Sequence, residues 1–267
     1  FFFLLSFIFY INLNSKKYIL SLCLYFFGLL SKEMAITLPA VIFLYDLTFR
    51  DENNLKLSWV NIWHTIKLRK FYYLGYLGVS TFYLCLRFYL LRDPKETIGP
   101  QWAGIIERVV YLPNQIFKFI KLAFLPLNLN ADHVFSYPKG FEVSHLIAPV
   151  IVCVLVVLSF MAYRHFKEIF FGIWWFIITL FPVYNIIQIF NPIAERYLYI
   201  PLIGFCLVVS ASLHRLLDPF LLNKTKKAGI IIIVAVALIV IFYAAITVPR
   251  NSDWQDDYTL WTKTLED

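Results

Sequence analysis

Between Lys227 and Pro249 the chain runs Ala228-Gly229-Ile230 through Ile246-Thr247-Val248 without one charged residue. At 1.5 Å per residue a helix over 228–248 is about 30 Å long, the thickness of the hydrocarbon core of a bilayer. Blocks of this kind recur, and hydrophobic segments are read at 1–12, 18–30, 34–48, 71–91, 145–163, 170–189, 197–217 and 228–248. The pair at 18–30 and 34–48 is short for a crossing, so Ser31-Lys32-Glu33 reads as the turn of a helical hairpin dipping below the interface. With 60% hydrophobic and 15% charged residues and a mean hydropathy of +0.70, the chain needs lipid as its solvent. The expected fold class is all-α: a polytopic transmembrane helical bundle of about eight hydrophobic segments. A stretch at 107–125, with Phe117, Ile120 and Phe124 opposite Lys118 and Lys121, is expected to be an interfacial amphipathic helix.

The net charge of +7 does not indicate a nucleic-acid partner, because the Lys and Arg residues fall between apolar blocks and form no single basic face. Their placement sets topology instead. Loops at 13–17, 49–70, 164–168 and 215–227 carry the cations and alternate with the spans, so all four are expected on the cytoplasmic side. The turn 31–33, the long connection 92–143, the turn 190–196 and the tail 250–267 then lie on the opposite face. A multi-pass location follows, in a bacterial or archaeal plasma membrane or in the endoplasmic reticulum membrane of a eukaryote.

Phe1-Phe2-Phe3-Leu4-Leu5 opens inside a hydrophobic run and Asp267 stops inside a helical pattern, so the chain is expected to be a fragment. Residues 1–249 read as a transmembrane domain truncated at its N-terminus. Residues 250–267, with Trp254, Leu260 and Trp261 at helical spacing, read as the start of an extracytoplasmic helical domain. Cys23, Cys85, Cys153 and Cys206 sit in apolar stretches with no CxxC pair, which suits lipid-facing or core thiols and no metal site. No P-loop, GxGxxG, HExxH or nucleophile elbow occurs.

Polar residues at the expected outer face are the candidates for chemistry. Lys32 and Glu33 either meet a lipid-linked phosphate and orient a substrate, or pair with each other and cap two helices. Arg87, one turn from the outer end of its span, either holds a phosphate or snorkels to headgroups. Glu195, Arg196 and Tyr197, followed by Tyr199, set an acid beside a base at the membrane face, for headgroup recognition or plain anchoring. His133, next to Asp132 in the long loop, has acid/base or phosphate chemistry open to it.

Leu30-Ser31-Lys32-Glu33, Thr37-Leu38-Pro39, Leu44-Tyr45-Asp46, Ala194-Glu195-Arg196-Tyr197-Leu198-Tyr199-Ile200-Pro201, Gly204-Phe205, and Arg250-Asn251 with Trp254 and Leu260-Trp261 follow one another in a familiar order. In these motifs the chain resembles the membrane half of the transmembrane and tetratricopeptide-repeat O-mannosyltransferases, of the GT-C glycosyltransferase class. The resemblance implies transfer of a sugar from a polyprenyl-phosphate-linked donor to an acceptor, a protein in the first instance, on the non-cytoplasmic side. It implies tetratricopeptide repeats after Asp267 and a catalytic acidic residue in a first outer loop upstream of Phe1. It moves Lys32, Glu33, Glu195 and Arg196 toward a donor-phosphate or supporting role, with Arg87, His133 and Tyr197 nearby. Many enzymes of that class use a divalent metal, although no ligand set here calls for one. A transporter or flippase of lipid-linked sugar, or a non-catalytic anchor for repeats, remains the alternative.

Overall fold

The computed structural model describes residues 1–50, 57–90, 104–127, 129–130, 144–186, 193–222 and 226–266. They form ten α-helices and short 3₁₀ and π turns, with no strand among the described residues. The helices are α1 (Phe2–Ile11), α2 (Ser15–Ser31), α3 (Leu38–Tyr45), α4 (Trp59–Leu90), α5 (Ile105–Phe124), α6 (Ser144–Ala162), α7 (Lys167–Thr179), α8 (Pro201–Leu222), α9 (Lys226–Arg250) and α10 (Asp257–Glu266). The all-α expectation is met, and the apolar segments read from the sequence coincide with helical structure over most of their described residues.

One helical stretch among the described residues, Ile233–Trp254, is long and apolar enough to cross a membrane by length and composition, and none of its most apolar window is buried against the protein. Phe2–Ile11, Ile147–Ala162 and Pro201–Leu217 are shorter apolar helices.

Three local results depart from the sequence reading. The hairpin turn forms at Lys32, whose extended backbone ends α2, but its second limb is broken: a 3₁₀ turn at Glu33–Thr37, then α3 with Pro39 in its first turn, then a π turn at Asp46–Arg50. Pro39 suits a first turn, where its missing N–H costs nothing. The polar stretch 49–70, read as a loop, is helical from Trp59 and continuous with the following span, so α4 runs 32 residues. Finally, α5 is amphipathic as expected, but the buried residues are Gln115, Ile116, Phe119, Leu122 and Ala123, and Phe124 is exposed. The i, i+3, i+4, i+7 spacing of that stripe packs α5 into the bundle against α6 and α7.

Two apolar clusters hold the chain together. One joins α1, α2, α3, α4 and α7 around Phe3, Tyr10, Tyr25, Leu38, Tyr76 and Trp175; the other joins α5, α7 and the turns after α7 around Phe119, Leu180 and Ile193. Within the first cluster small hydroxyls bridge helices. Ser6 Oγ donates to the Ser21 carbonyl (2.7 Å), Ser21 Oγ donates to the Ser6 carbonyl (2.6 Å) and shares a 2.5 Å hydrogen bond with Tyr76, and Tyr25 and Ser80 hydroxyls meet at 2.7 Å. Such pairs fix helix register where apolar contact alone is indifferent to it.

Candidate functional site

The turn that ends α2 and the 3₁₀ turn Glu195–Leu198 that precedes α8 meet at one end of the bundle. Between them and the N-terminus of α1 lies a cavity of about 440 Å³. Phe1, Phe2, Phe3, Leu4, Met34, Ile200 and Ile203 make its walls apolar; Ser31, Lys32 and Arg196 supply the polar rim.

Tyr197 organises that rim. The Lys32 ammonium lies 5.6 Å from its ring centroid and the Arg196 guanidinium 5.4 Å, so one ring carries two cations. A π face stabilises a nearby cation by its quadrupole, and it does so without neutralising the charge. Two positive groups thus stand at the mouth of a greasy cavity, and both side chains are exposed there. An anion attached to a hydrocarbon chain fits such a place: the cations take the charge, and the apolar wall takes the chain.

The acids read beside these cations are directed elsewhere. Glu33 does not pair with Lys32; its Oε2 lies 3.9 Å from Arg87 Nη1, a pair half exposed on both sides, while Arg87 also donates to the Tyr83 hydroxyl (3.0 Å). Glu195 Oε2 lies 3.5 Å from Arg250 Nη2 at the end of α9. Of the residues singled out in the sequence, then, Lys32, Arg196 and Tyr197 come together at the cavity. Glu33 with Arg87 and Glu195 with Arg250 form separate pairs. His133, with Asp132, lies outside the described residues.

Sequence reading missed two features. Arg250 is one, and only its charge at the end of the longest apolar block marks it in the sequence. At the far end of α1, Asp46 is fully buried, accepts hydrogen bonds from Tyr10 and from Tyr73 (2.8 Å for the latter), and pairs with Arg50 (Nε to Oδ1, 3.1 Å). Arg50 also donates to the carbonyls of Tyr10 and Ile11, 3.0 Å each. Every cation and hydroxyl named there is committed to Asp46 or to backbone, so the group reads as a structural lock of α1, α3 and α4.

No group of three or more His, Cys, Asp and Glu among the described residues is placed to hold a metal ion. Glu33 and Glu195 are each turned to an arginine, and no carboxylate among the described residues lines the cavity.

No protein-family model matches the chain, and no solved structure matches it. Over 74 residues, 28% of this chain, it is 31% identical to protein O-mannosyl-transferase TMTC3 of Mus musculus. Over 74 residues it is 39% identical to protein O-mannosyl-transferase tmtc2 of Xenopus laevis and 34% identical to TMTC2 of Homo sapiens. The matched stretch spans 7% of the length of the first relative and 8% of the other two. The likeness is therefore to named protein O-mannosyl-transferases, carried by just over a quarter of the chain.

Proposed function

We propose that this chain is the donor-side part of a multi-pass membrane glycosyltransferase that moves a sugar from a polyprenyl-phosphate carrier to a protein on the non-cytoplasmic side. The single observation that carries the reading is the convergence of Lys32 and Arg196 on one tyrosine ring above an apolar cavity. The partial likeness to proteins named O-mannosyl-transferases makes mannose the first sugar to try.

The chemistry asks for what the rim offers. When the sugar leaves its carrier, negative charge grows on the departing phosphate, and cations fixed beforehand at that point lower the barrier most. Lys32 supplies a compact point charge and Arg196 a planar fork suited to two phosphate oxygens. Phe1 to Leu4, Ile200 and Ile203 take the first isoprene units. The acid or base that activates the acceptor is assigned to none of the described residues. In this reading the tail after α9 faces the same side as the cavity and leads into a repeat domain that brings the acceptor.

The test is transfer from polyprenyl-phosphate mannose by the full-length protein in lipid nanodiscs. Lys32→Ala and Arg196→Ala are each expected to cut kcat/KM at least tenfold, about 1.4 kcal/mol of transition-state stabilisation, with membrane insertion unchanged. Wild-type rates in the double variant would overturn the assignment.

A further inference from the structure

Glu195 and Arg196 are consecutive in one 3₁₀ turn, yet their side chains serve different partners: Arg196 the cavity, Glu195 the end of α9. The Glu195–Arg250 contact is covered, with the two side chains 21% and 18% exposed. Arg250 does more than close this pair. Its Nη1 lies 3.4 Å from Asp253 Oδ2, and the other oxygen of Asp253 takes a hydrogen bond from Lys263 of α10. Asn130 Nδ2 adds a 3.2 Å hydrogen bond to the Thr264 carbonyl on the same helix. A continuous line of charge contacts therefore runs from α10 through Asp253 and Arg250 to Glu195, and one peptide bond further it reaches Arg196.

We infer that Arg250 is a positioning residue: by holding Glu195 it fixes the 195–198 turn so that Arg196 faces the cavity and shares the Tyr197 ring with Lys32, and it ties that turn to the tail helix. The physical reason is the weakness of the turn alone. It is four residues long and has no side-chain cap, and the hydrogen bond from the Tyr197 N–H to the Ala194 carbonyl (3.1 Å) is the one it makes backward to its entry residue. A short 3₁₀ turn with poor hydrogen-bond geometry has no stiffness of its own. Leu198 anchors the end of the turn in the core, and the covered ion pair at its first residue supplies the restraint on the polar residues at its start. Since Lys32 meets Arg196 on the shared Tyr197 ring, release of Glu195 loosens both cations together. The same line gives the tail domain a mechanical hold on the cavity, so that docking of α10 and readiness of the anion site go together.

The consequence for turnover rests on the donor-phosphate reading; the positioning itself does not, and two measurements keep them apart. In the full-length protein in nanodiscs, Arg250→Ala is expected to raise amide hydrogen exchange across 195–199 several-fold while α7 keeps its protection. Arg250→Lys restores most of that protection. In Arg250→Ala donor KM is expected to rise and kcat to fall, for about a tenfold loss in kcat/KM, because the cations that Arg250 positions act on charge that grows in the transition state. Glu195→Gln should give a similar loss, and the double variant no more than either alone, because both act through one contact. Faster exchange with no effect on donor kcat/KM supports the positioning and overturns the donor reading. Unchanged exchange at 195–199, or effects of the two substitutions that multiply, overturns the inference.

Discussion

Gly172 of α7 and Gly204 of α8 face one another so closely that a methyl group on Gly172 would lie 2.7 Å from the Gly204 carbonyl oxygen, and one on Gly204 would strike the Gly172 oxygen in turn. Two backbones touch here with no side chain between them. Such close approach brings many atoms of the two helices into dispersion contact. The crossing also seats Trp175, whose indole donates to the Ile200 carbonyl (3.0 Å) and so anchors the entrance to α8 beside the cavity.

A side chain at that crossing has nowhere to go, because at each glycine a backbone carbonyl oxygen stands in its way. Gly204→Ala is expected to cost about 1–3 kcal/mol, the usual range for forced overpacking. Gly78, which has nothing within 4 Å of an added methyl group, is the control: Gly78→Ala should be neutral or slightly stabilising. Thermal denaturation of both variants in one detergent checks the contrast.

The Asp46 lock predicts a graded series. Removing the carboxylate leaves Arg50 without its counter-charge in a covered place, so Asp46→Ala is expected to destabilise by about 3 kcal/mol, the low end for a broken buried pair because Arg50 keeps two carbonyls. Tyr10→Phe and Tyr73→Phe each remove one hydrogen bond to a charged acceptor, about 1.5–3 kcal/mol. Because both hydroxyls bind the same oxygen, the double variant should cost less than the sum, which chemical denaturation of the three proteins measures.

Hydropathy made the helices legible, since an apolar block with no charge has few other uses. What it hid was amphipathic or remote. The first half of α4 mixes Trp59 and Trp63 with Lys67, Arg69 and Lys70, and an average over that mixture looks like loop. The choice of Arg87 as partner for Glu33 spans 54 positions, and Tyr10 and Tyr73 reach Asp46 from 36 and 27 positions away, distances over which spacing carries no signal. At the cavity the sequence singled out Lys32 and Arg196, which the structure sets at the rim, because charge bordering apolar blocks is costly and so conspicuous. The neighbouring acids Glu33 and Glu195 turn instead to Arg87 and Arg250, because adjacency in a chain says nothing about the direction in which a 3₁₀ turn sends successive side chains.

α10 carries a pH dependence at its start. Asp256 Oδ1 accepts the Thr259 N–H at 2.7 Å, and this backbone hydrogen bond, with help from the Thr259 side chain, holds its carboxyl below the ordinary value of 3.8. A lowered acid stabilises the capped form above the ordinary carboxylate pKa, and that contribution fades as pH falls through the lowered one. Exchange protection at 257–260 should thus be constant from pH 7 to about 5 and drop below about 4. Asp256→Asn keeps an acceptor without a titrating group and should flatten the profile; a wild-type profile already flat to pH 3 would contradict the cap.

On the multi-pass reading proposed above, the length of α4 predicts where it would leave the bilayer. Its 32 residues extend about 48 Å, against about 30 Å of hydrocarbon, so roughly twelve residues exceed a single crossing. The excess falls at the N-terminal end, where Trp59 is 85% and Trp63 58% exposed and Lys67 and Lys70 lie over the rings of Trp63 and Phe71 at 5.4 and 5.0 Å. Exposed indoles beside lysines are suited to the headgroup layer, where the ring meets acyl chains and the ammonium meets phosphate. The other end, with Phe82 and Phe88 exposed, has the apolar surface that hydrocarbon requires. A spin label at Trp59→Cys is therefore expected to be reached by a water-soluble relaxation agent, and one at Phe82→Cys by molecular oxygen dissolved in the acyl chains. Equal access of both agents to both sites would mean that α4 lies along the surface instead of entering it.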